Sequence, residues 1–424
     1  MKKKKWFRLD NAALIFPAIM KRRWNNVFRI SVSLTGETDP EALSLAVENL
    51  KGRFPSFFVR LRTGFFWYYL EEINGKVPVV AEYAYPLTHM SRAQLSRSCI
   101  LVLYYGNRFA VEFFHSVTDG TGGAEFVKNL TAEYLRVKYR VPPVFEGGIV
   151  DPAEEPDPVE LADRFPECAG GFPVPEEDTK VFRMRGTPEP DRFRHLTTGI
   201  VPTGALIEAA HRHGVTVTAF LAAVMAEAVA RLQDETLPRR AARPVRIMIP
   251  VNLRRLFGVT TLRNFVLTVT AGFDPRLGEY SFDEICSLIR HSLAITATRQ
   301  HMAAKIEANV RPAENRIIRA MPLFIKNPVM RMVYHFVGER VGCINVSNLG
   351  SVSFPGEYAK FVERFEFIIG VQYSYPNNCS VVSCGGRTFI NMIRSTKESE
   401  LERLFFARLV ELGLPVEIES NRRR

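Results

Sequence analysis

A proline-rich, acidic segment in the first half of this chain most strongly limits the folds that it can adopt. The segment, residues 141–191, begins VPPVFEGGIVDPAEEPDP and stays dense in Pro, Glu and Asp. Few of these side chains can be buried together, so the segment predicts a connection that runs over the surface. The chain has 424 residues, which is more than one hydrophobic core usually serves. We therefore expect two domains, over residues 1–140 and 195–424, joined by a linker over residues 141–194.

The N-terminal half alternates helix and strand patterns. Thr38-Asp39-Pro40 places a capping side chain before a proline, and apolar residues follow at helical spacing, which predicts a helix. Two pairs of apolar and aromatic runs flank the turn dipeptides Thr63-Gly64 and Gly106-Asn107, and each pair predicts a hairpin. A period of about 3.6 residues from Gly122 to Tyr139 predicts a second helix. The aromatic stretch GFFWYYL leaves two interpretations, the lining of an apolar channel and the core of the first hairpin, of which we favour the core.

The C-terminal half mixes strands and helices in the same way, and the two halves together predict α/β sandwich domains. Its patterns, in chain order, are a strand at 195–202, the helix AFLAAVMAEAVARL capped by Thr216, strands in VRIMIPVNLRRLF and RNFVLTVTAGF, helical stretches at 282–310 and 314–337, a strand in GCINVSNLGSV, three strands between Lys360 and Arg394, and a last helix in KESELERLFFARLVELG.

Net charge and cysteine usage exclude several classes of function. Seven of the +11 formal charges are Lys2–Lys5 and Arg422–Arg424, which leaves four for the rest of the chain. We interpret these basic ends as solvated tails, which leaves contact with an anionic membrane surface open, and we expect no nucleic-acid partner because aromatic and basic residues do not interleave. The six cysteines are scattered without a Cys-x-x-Cys pair, so neither a metal site nor a disulfide framework is indicated.

The sequence also suggests a location in the cell. No apolar run reaches the roughly 18 residues that a membrane-spanning helix needs. The opening stretch MKKKKWFRLDNAALIFPAI is interrupted by Arg8, Asp10 and Asn11, which argues against a signal peptide. We therefore expect a cytoplasmic protein, and we expect it to be a monomer.

The stretch FFHSVTDGTGG carries the candidate chemistry. His115 ends a predicted strand, and a neutral imidazole at that place can accept a proton as a general base. Asp119 can accept backbone hydrogen bonds or pair with an arginine and so hold the turn. Gly120 and the pair Gly122-Gly123 permit either a positive φ or the close approach of another segment. A structural histidine followed by an ordinary Asp-Gly turn is the alternative interpretation of the same letters.

Four stretches together resemble the CoA-dependent acyltransferase superfamily, which includes chloramphenicol acetyltransferase, alcohol O-acetyltransferases, polyketide-associated acyltransferases and the condensation domains of peptide synthetases. The resemblance covers nearly the whole chain and is strongest to the alcohol O-acetyltransferases. The stretches are HSVTDGTGG, similar to the family's His-x-x-x-Asp-Gly motif; HRHGVTVTAFLAAVMAEAVARL, similar to the capped helix of its second half; IMIPVNLRRLF, similar to its Pro-Val-x-Leu-Arg strand; and VSNLGSV, similar to a Ser-Asn-Leu-Gly strand.

The resemblance implies two chloramphenicol-acetyltransferase-like α/β sandwich domains with an active-site tunnel between them. His115 would then be the general base of an acyl-CoA-dependent O-acyltransferase, with acetyl-CoA or another acyl-CoA as co-substrate, a small hydroxyl acceptor and no metal or permanently bound cofactor. Asp119 would be structural, with Arg254 as its candidate partner. Ser347 or Asn348 would donate a hydrogen bond to the tetrahedral oxyanion, and a structural turn role stays open for both.

Departures from the family motifs keep other functions open. Condensation domains carry two adjacent histidines, and Phe114 stands at the first of these positions. The Asp-Phe-Gly-Trp-Gly motif of plant acyltransferases is absent from the sequence. The alternatives are an N-acyltransferase, a condensation-type enzyme that takes its acyl group from a carrier protein, and a non-catalytic binding protein on the same fold.

Overall fold

Mixed β-sheets packed by helices form the frame of the protein. The computed structural model describes residues 5–20, 26–87, 90–173, 180–191, 193–334, 341–372 and 375–421. The strands are β1 (Trp6–Arg8), β2 (Val27–Leu34), β3 (Val59–Thr63), β4 (Tyr68–Glu72), β5 (Val79–Ala81), β6 (Ile100–Tyr105), β7 (Arg108–Phe114), β8 (His195–Pro202), β9 (Val245–Asn252), β10 (Val266–Phe273), β11 (Ile344–Ser351), β12 (Val362–Ile369), β13 (Asn377–Cys384), β14 (Arg387–Arg394) and β15 (Glu417–Ser420). The helices are α1 (Phe16–Ile19), α2 (Pro40–Asn49), α3 (Arg92–Leu95), α4 (Gly120–Tyr139), α5 (Phe165–Cys168), α6 (Thr203–Arg212), α7 (Val217–Thr236), α8 (Leu253–Phe257), α9 (Phe282–Thr296), α10 (Arg299–Glu314), α11 (Arg316–Ala320), α12 (Leu323–Val333) and α13 (Glu400–Glu411).

Over the described residues, the strands assemble into a five-stranded, a seven-stranded and a small three-stranded sheet. The five-stranded sheet has the order β12-β2-β7-β6-β5, and the seven-stranded sheet has the order β10-β9-β11-β13-β14-β8-β15. Each large sheet has its own apolar core, built with α2 and α4 in the first case and with α7 and α9 in the second. The mixed α/β architecture predicted from the sequence is confirmed.

Strand β12, from the C-terminal half of the chain, pairs in the five-stranded sheet with strands of the N-terminal half. It pairs antiparallel with β2, with Phe365 opposite Val32 and Phe367 opposite Ile30. Side chains of the seven-stranded sheet also bond to its backbone, since Ser380 Oγ donates to the Phe367 carbonyl over 2.7 Å. This strand therefore connects the two large sheets. The division of the chain at residues 140 and 194 stays a prediction. Strand β12 belongs to the expected C-terminal domain by sequence, but the other four strands of its sheet come from the N-terminal domain.

Helix starts follow the capping chemistry of the sequence. Asp39 accepts from the backbone amide of Glu41 over 2.9 Å at the start of α2, and Pro40 occupies the first turn, as predicted. Thr216 caps α7 in the same way, with its hydroxyl accepting from the Ala219 amide. The predicted helical stretches at 282–310 and 314–337 are each broken. Thr298 caps a new helix after α9. Helix α11 ends at Ala320 because the ring of Pro322 favours extended backbone at Met321, and α12 begins after this proline. The expected end at Val337 lies outside the described residues.

The two predicted hairpins differ in their turns. Gly106, with a φ of +54°, joins β6 to β7 in the tight turn expected from Gly106-Asn107. The first hairpin, β3–β4, instead has a longer loop over residues 64–67, which pushes Phe65, Phe66 and Trp67 to the tip. The prediction that GFFWYYL forms hairpin core is therefore wrong for these three residues, whose side chains are 65%, 37% and 52% exposed.

Two further observations concern the predictions on cysteine usage and on membrane-spanning helices. All six cysteines are buried and unbridged. Of the helices described, none alone is long and apolar enough to cross a membrane, and only α6 and α7, bent by 76° at their junction, satisfy that test as a pair. The basic ends at residues 2–4 and 422–424 lie outside the described residues.

Candidate active site

His115 lies on the turn between β7 and α4, as the sequence predicts. Its backbone amide donates to the Asn26 carbonyl over 2.7 Å, which fixes the end of the strand beside β2. Asp119 then caps α4, and its carboxylate accepts from the Gly122 amide over 3.1 Å. Buried strand residues and a capped helix therefore hold the histidine from both sides.

A cavity of about 300 Å³ lies between the two large sheets, and the half-buried His115 side chain faces it. The cavity is lined from the five-stranded sheet by Phe28 and Phe367, and from the seven-stranded sheet by Leu267 and Ser347. Phe28 packs its ring edge against the imidazole, with centroids 5.2 Å apart. The histidine therefore stands between the sheets and not inside the core of one of them. Openings of this cavity at two faces, as a tunnel requires, stay a prediction.

A buried amide fixes the proton on the imidazole. Asn264 donates from Nδ2 to Asp10 Oδ2 over 2.9 Å, which turns its Oδ1 toward His115 Nδ1 at 2.9 Å. Because an amide oxygen only accepts hydrogen bonds, Nδ1 must carry the proton. The lone pair is therefore on Nε2, which is the arrangement that a general base needs.

The protonation states around His115 favour this arrangement near neutral pH. Burial lowers the pKa of His115 below its ordinary value, and the Asp119 charge and the Asn264 hydrogen bond only partly offset this. Burial also raises the pKa of Asp10 to about 6, against the opposing charge of Arg263. Above that pH Asp10 is ionised and can accept from the Asn264 amide.

Asp119 forms a buried ion pair with Arg254, the partner expected from the resemblance. The two guanidinium nitrogens approach its carboxylate oxygens at 2.8 and 3.1 Å, and the Phe265 amide donates to the same carboxylate over 2.8 Å. Burial alone would raise the pKa of Asp119, but Arg254 and the backbone amides outweigh it and hold the pKa below its usual range. The pair ties the start of α4 to α8 and to the segment before β10.

The glycines of the motif allow close packing. Gly120, Gly122 and Gly123 all have ordinary negative φ values, so positive φ is not their role. A Cβ on Gly122 would lie 2.4 Å from the Leu262 carbonyl oxygen, and one on Gly120 would lie 2.9 Å from Leu349. A side chain at Gly122 would therefore displace the Leu262 backbone from the start of α4, and one at Gly120 would displace the Leu349 side chain.

Ser347 and Asn348 both line the cavity, but their side chains differ in what they already bind. Asn348 donates to Thr218 Oγ1 over 3.1 Å and accepts from the Gly350 amide over 2.8 Å, as a structural turn residue does. Among the residues that the structure describes, no partner engages the half-buried Ser347 hydroxyl. Ser347 is therefore the better placed of the two candidate donors.

Sequence reasoning missed Asn264 and Asp10. Asn264 stands 149 residues after His115, inside a stretch that we expected to be strand, and Asp10 was interpreted only as a charge that interrupts the N-terminal apolar run. A buried polar residue next to a strand start was the available signal, but nothing in the sequence gave it a partner. Within the described ranges, no three side chains of His, Cys, Asp and Glu come together as a metal site requires.

Comparisons with known proteins identify the fold. No protein-family model matches the chain, and no curated sequence matches it either. Solved structures do match over nearly the full length. Trichothecene 15-O-acetyltransferase TRI3 of Fusarium sporotrichioides aligns at a TM-score of 0.62 and 12% identity, covering 96% of this chain and 94% of that one. TRI101 of the same organism, complexed with coenzyme A and T-2, aligns at 0.64 and 11%, covering 98% and 99%. The condensation domain of the monacolin K polyketide synthase MokA aligns at 0.60 and 11%, covering 96% of each chain.

The chain therefore has the chloramphenicol-acetyltransferase-like α/β fold of the CoA-dependent acyltransferases and condensation domains. The resemblance predicted from the four sequence stretches is confirmed at the level of the fold. The similar structures include acetyltransferases as well as a condensation domain of a polyketide synthase.

Proposed function

We propose that this protein is an acyltransferase that moves an acyl group from acyl-CoA to the hydroxyl of a small acceptor, with His115 as general base. The observation that carries the proposal is the orientation of His115 beside a cavity between the sheets: Nδ1 is held at 2.9 Å from Asn264, and Nε2 has no hydrogen-bond partner among the described residues. The similarity to TRI101, solved with coenzyme A, supports a CoA thioester as donor.

The proposed reaction is a direct transfer in two steps. His115 Nε2 takes the proton of the acceptor hydroxyl, and the oxygen attacks the thioester carbonyl to form a tetrahedral oxyanion. Ser347 donates a hydrogen bond to that oxyanion, a kind of contact whose loss costs about 3 to 4 kcal/mol. The intermediate then expels the CoA thiolate, which receives the proton from His115. Asp119 takes no part in bond making, and its pairing with Arg254 holds the turn that carries the base.

A condensation-type reaction with a carrier-bound donor is the second candidate, because condensation domains share the fold. The test is release of free thiol from acetyl-CoA in the presence of matched panels of alcohols and amines. Thiol release with alcohols supports the proposal, whereas release with amines alone supports an N-acyltransferase. A folded protein that leaves acetyl-CoA untouched with both panels, and turns over an acyl carrier protein instead, contradicts the use of CoA.

Turnover is expected to rise with pH and to reach a plateau near neutrality. Only the neutral imidazole accepts a proton, and burial lowers the pKa of His115, so activity is lost as the pH falls through a midpoint below 6.5. The measurement is kcat/KM for thiol release between pH 4.5 and 8, with circular dichroism at each pH to confirm that the protein stays folded. A flat profile while the chemical step limits the rate would contradict the role of His115 as base.

Asn264→Leu is expected to lower kcat roughly 10- to 100-fold, because a base that turns away from its acceptor loses about that much rate. Leucine cannot accept from His115 Nδ1, so the ring is free to rotate and to change its tautomer. Asn421→Leu is the matched control, since Asn421 also makes two hydrogen bonds but lies by β8, away from the cavity. Equal kcat values in the two variants, at equal melting temperatures, would remove Asn264 from the mechanism.

A further inference from the structure

One surface of the protein carries several exposed large apolar side chains. It combines the β3–β4 loop with α11 and α12, and we refer to it as the aromatic face. Large apolar side chains stand out into solvent there, with exposed fractions that reach 69% for Phe324 and 77% for Ile317. The exposed apolar residues of the aromatic face are Phe65, Phe66, Trp67, Ile317, Ile318, Phe324, Ile325, Val329 and Met332. Contiguous patches of this kind mark interaction surfaces.

Direct contacts join the loop to α12. The Leu323 amide donates to the Phe65 carbonyl over 2.9 Å, and Lys326 Nζ donates to the Phe66 carbonyl over 2.9 Å. The rings of Phe65 and Phe324 meet edge to face, with centroids 6.4 Å apart. The loop and α12 are therefore one continuous surface, and only two residues separate the end of α11 from the start of α12.

Helix α12 presents its apolar stripe to solvent. Ile325, Val329 and Met332 follow at spacings of four and three residues, which places them on one side of the helix, and all are exposed. The opposite side is held by the protein, since Asn327 donates to Tyr68 Oη over 3.0 Å and Arg331 donates to the Ala18 carbonyl over 2.6 Å. A helix of a soluble protein normally buries such a stripe, so the exposed stripe of α12 indicates a binding surface.

Positive charge outweighs negative charge along the segment that carries α11 and α12. From Arg311 to Arg331 the chain has five basic side chains and a single acidic one, Glu314. In the part of the chain that the structure describes, no carboxylate pairs with any of these cations, which are Arg311, Arg316, Arg319, Lys326 and Arg331. A surface with aromatic residues at its tip and basic residues around them is complementary to an anionic bilayer, whose lipids attract cations while its acyl region accepts the rings.

The same charges disfavour a second copy of this chain as the occupant. A symmetric dimer brings one patch against itself, so the five cations that residues 311–331 supply in each copy would face their counterparts, against one carboxylate of the same segment. Ile325, Val329 and Met332 likewise offer no hydrogen bonds to a nucleic acid. An anionic lipid surface satisfies both the apolar and the charged parts.

We infer that the aromatic face is a membrane-binding surface that docks on bilayers rich in anionic lipid, with Phe65, Trp67 and Phe324 inserted among the headgroups. Helix α12 packs on α1, and α1 supplies Phe16 to the cavity that His115 faces, so one short helix separates the helix that docks from the candidate active site. The membrane contact itself does not depend on the proposed catalysis.

Vesicle binding tests the inference. The full chain is sedimented with vesicles of phosphatidylcholine alone and of an equimolar mixture with phosphatidylglycerol, at low and at high salt. We expect binding to the mixed vesicles that weakens with salt, and a blue shift of tryptophan emission as Trp67 leaves water. Trp67→Ser/Phe324→Ser is expected to weaken the partition at least tenfold, since each ring loses roughly the transfer energy of a large apolar side chain. Arg316→Gln/Arg319→Gln is expected to weaken it about fivefold per charge.

Matched controls carry equal changes elsewhere on the surface. Phe172→Ser/Tyr83→Ser removes two rings that are 92% and 84% exposed, and Arg212→Gln/Arg290→Gln removes two other exposed charges. All variants keep both basic ends. If those ends alone bound the vesicles, the test variants and the control variants would bind equally well, and this result would overturn the inference. Equal binding to both vesicle types, or a dimer in sedimentation velocity that the Trp67 and Phe324 changes dissolve, would also overturn it. His115→Ala is expected to bind vesicles like the wild type, which separates this result from the catalytic proposal.

Discussion

Replacing His115 with alanine is expected to lower turnover by roughly 10² to 10⁴, the range that general-base catalysis supplies. Alanine cannot take the acceptor's proton, and Asp119, the other titratable residue among the described residues that line the cavity, already has its carboxylate engaged by Arg254 and the Phe265 amide. The loss should appear in kcat and not in the melting temperature, because the imidazole faces a cavity and its removal leaves the backbone bond from His115 to Asn26 in place. The measurements are thiol release from acetyl-CoA and a thermal melt of the same preparation.

His291→Ala is the matched control for this experiment, since His291 is an exposed residue of α9 remote from the cavity in sequence and contacts. It should match the wild type in both measurements. If His115→Ala retained the turnover of the control, the general-base role would be excluded and a binding function on this fold would become the better proposal.

Asp119→Ala is expected to produce the largest loss of stability, about 3 to 5 kcal/mol, the usual consequence of removing one partner from a buried ion pair. Arg254 would keep its bonds to the carbonyls of Thr261 and Arg263, but its charge would be left without a carboxylate. The Gly122 and Phe265 amides would lose their acceptor as well. Chemical denaturation, with the slope checked for two-state behaviour, measures this free energy of unfolding.

An exposed ion pair provides the control for the stability loss of Asp119→Ala. Glu357 and Lys360 approach at 2.6 Å, but both side chains are more than half exposed, so Glu357→Ala is expected to cost at most about 0.5 kcal/mol. Activity of Asp119→Ala should fall through displacement of His115. If Asp119→Ala kept full stability and lost as much turnover as His115→Ala, Asp119 would act in the chemistry itself, and its structural assignment would be wrong.

Local chemistry explains which parts of this fold a single sequence reveals. The Asp39 and Thr216 caps, the Gly106 turn and the α4 periodicity each depend on a few neighbouring residues, so the sequence shows them directly. The breaks after α9 and before α12 were missed because apolar periodicity continues across them, although Pro322 was a visible signal. The exposed tip of β3–β4 was missed because aromatic composition indicates burial unless a partner outside the chain is considered.

The residues of the candidate site also fall into those that the sequence reveals and those that only the folded structure reveals. The motif located His115 and Asp119, and the family resemblance suggested Arg254, which the structure places against Asp119. Asn264 contacts His115 although 149 residues separate them in the chain, and Asp10 contacts Asn264 across a separation of 254 residues. No spacing rule connects such residues, so they could be found only once the sheets were assembled.

The position of β12 has a consequence for synthesis on the ribosome. Strand β2 bonds to β7 on one edge and to β12 on the other, and these partners end at Phe114 and Ile369. At elongation rates of roughly 5 to 20 residues per second, the second partner emerges roughly 10 to 50 seconds after the first. During that interval β2 presents unpaired amides and carbonyls along an apolar strand, the kind of edge on which nascent chains associate. A chain whose translation stalls before residue 362 therefore keeps that edge open, and such truncated products should be among the first clients of ribosome-associated chaperones.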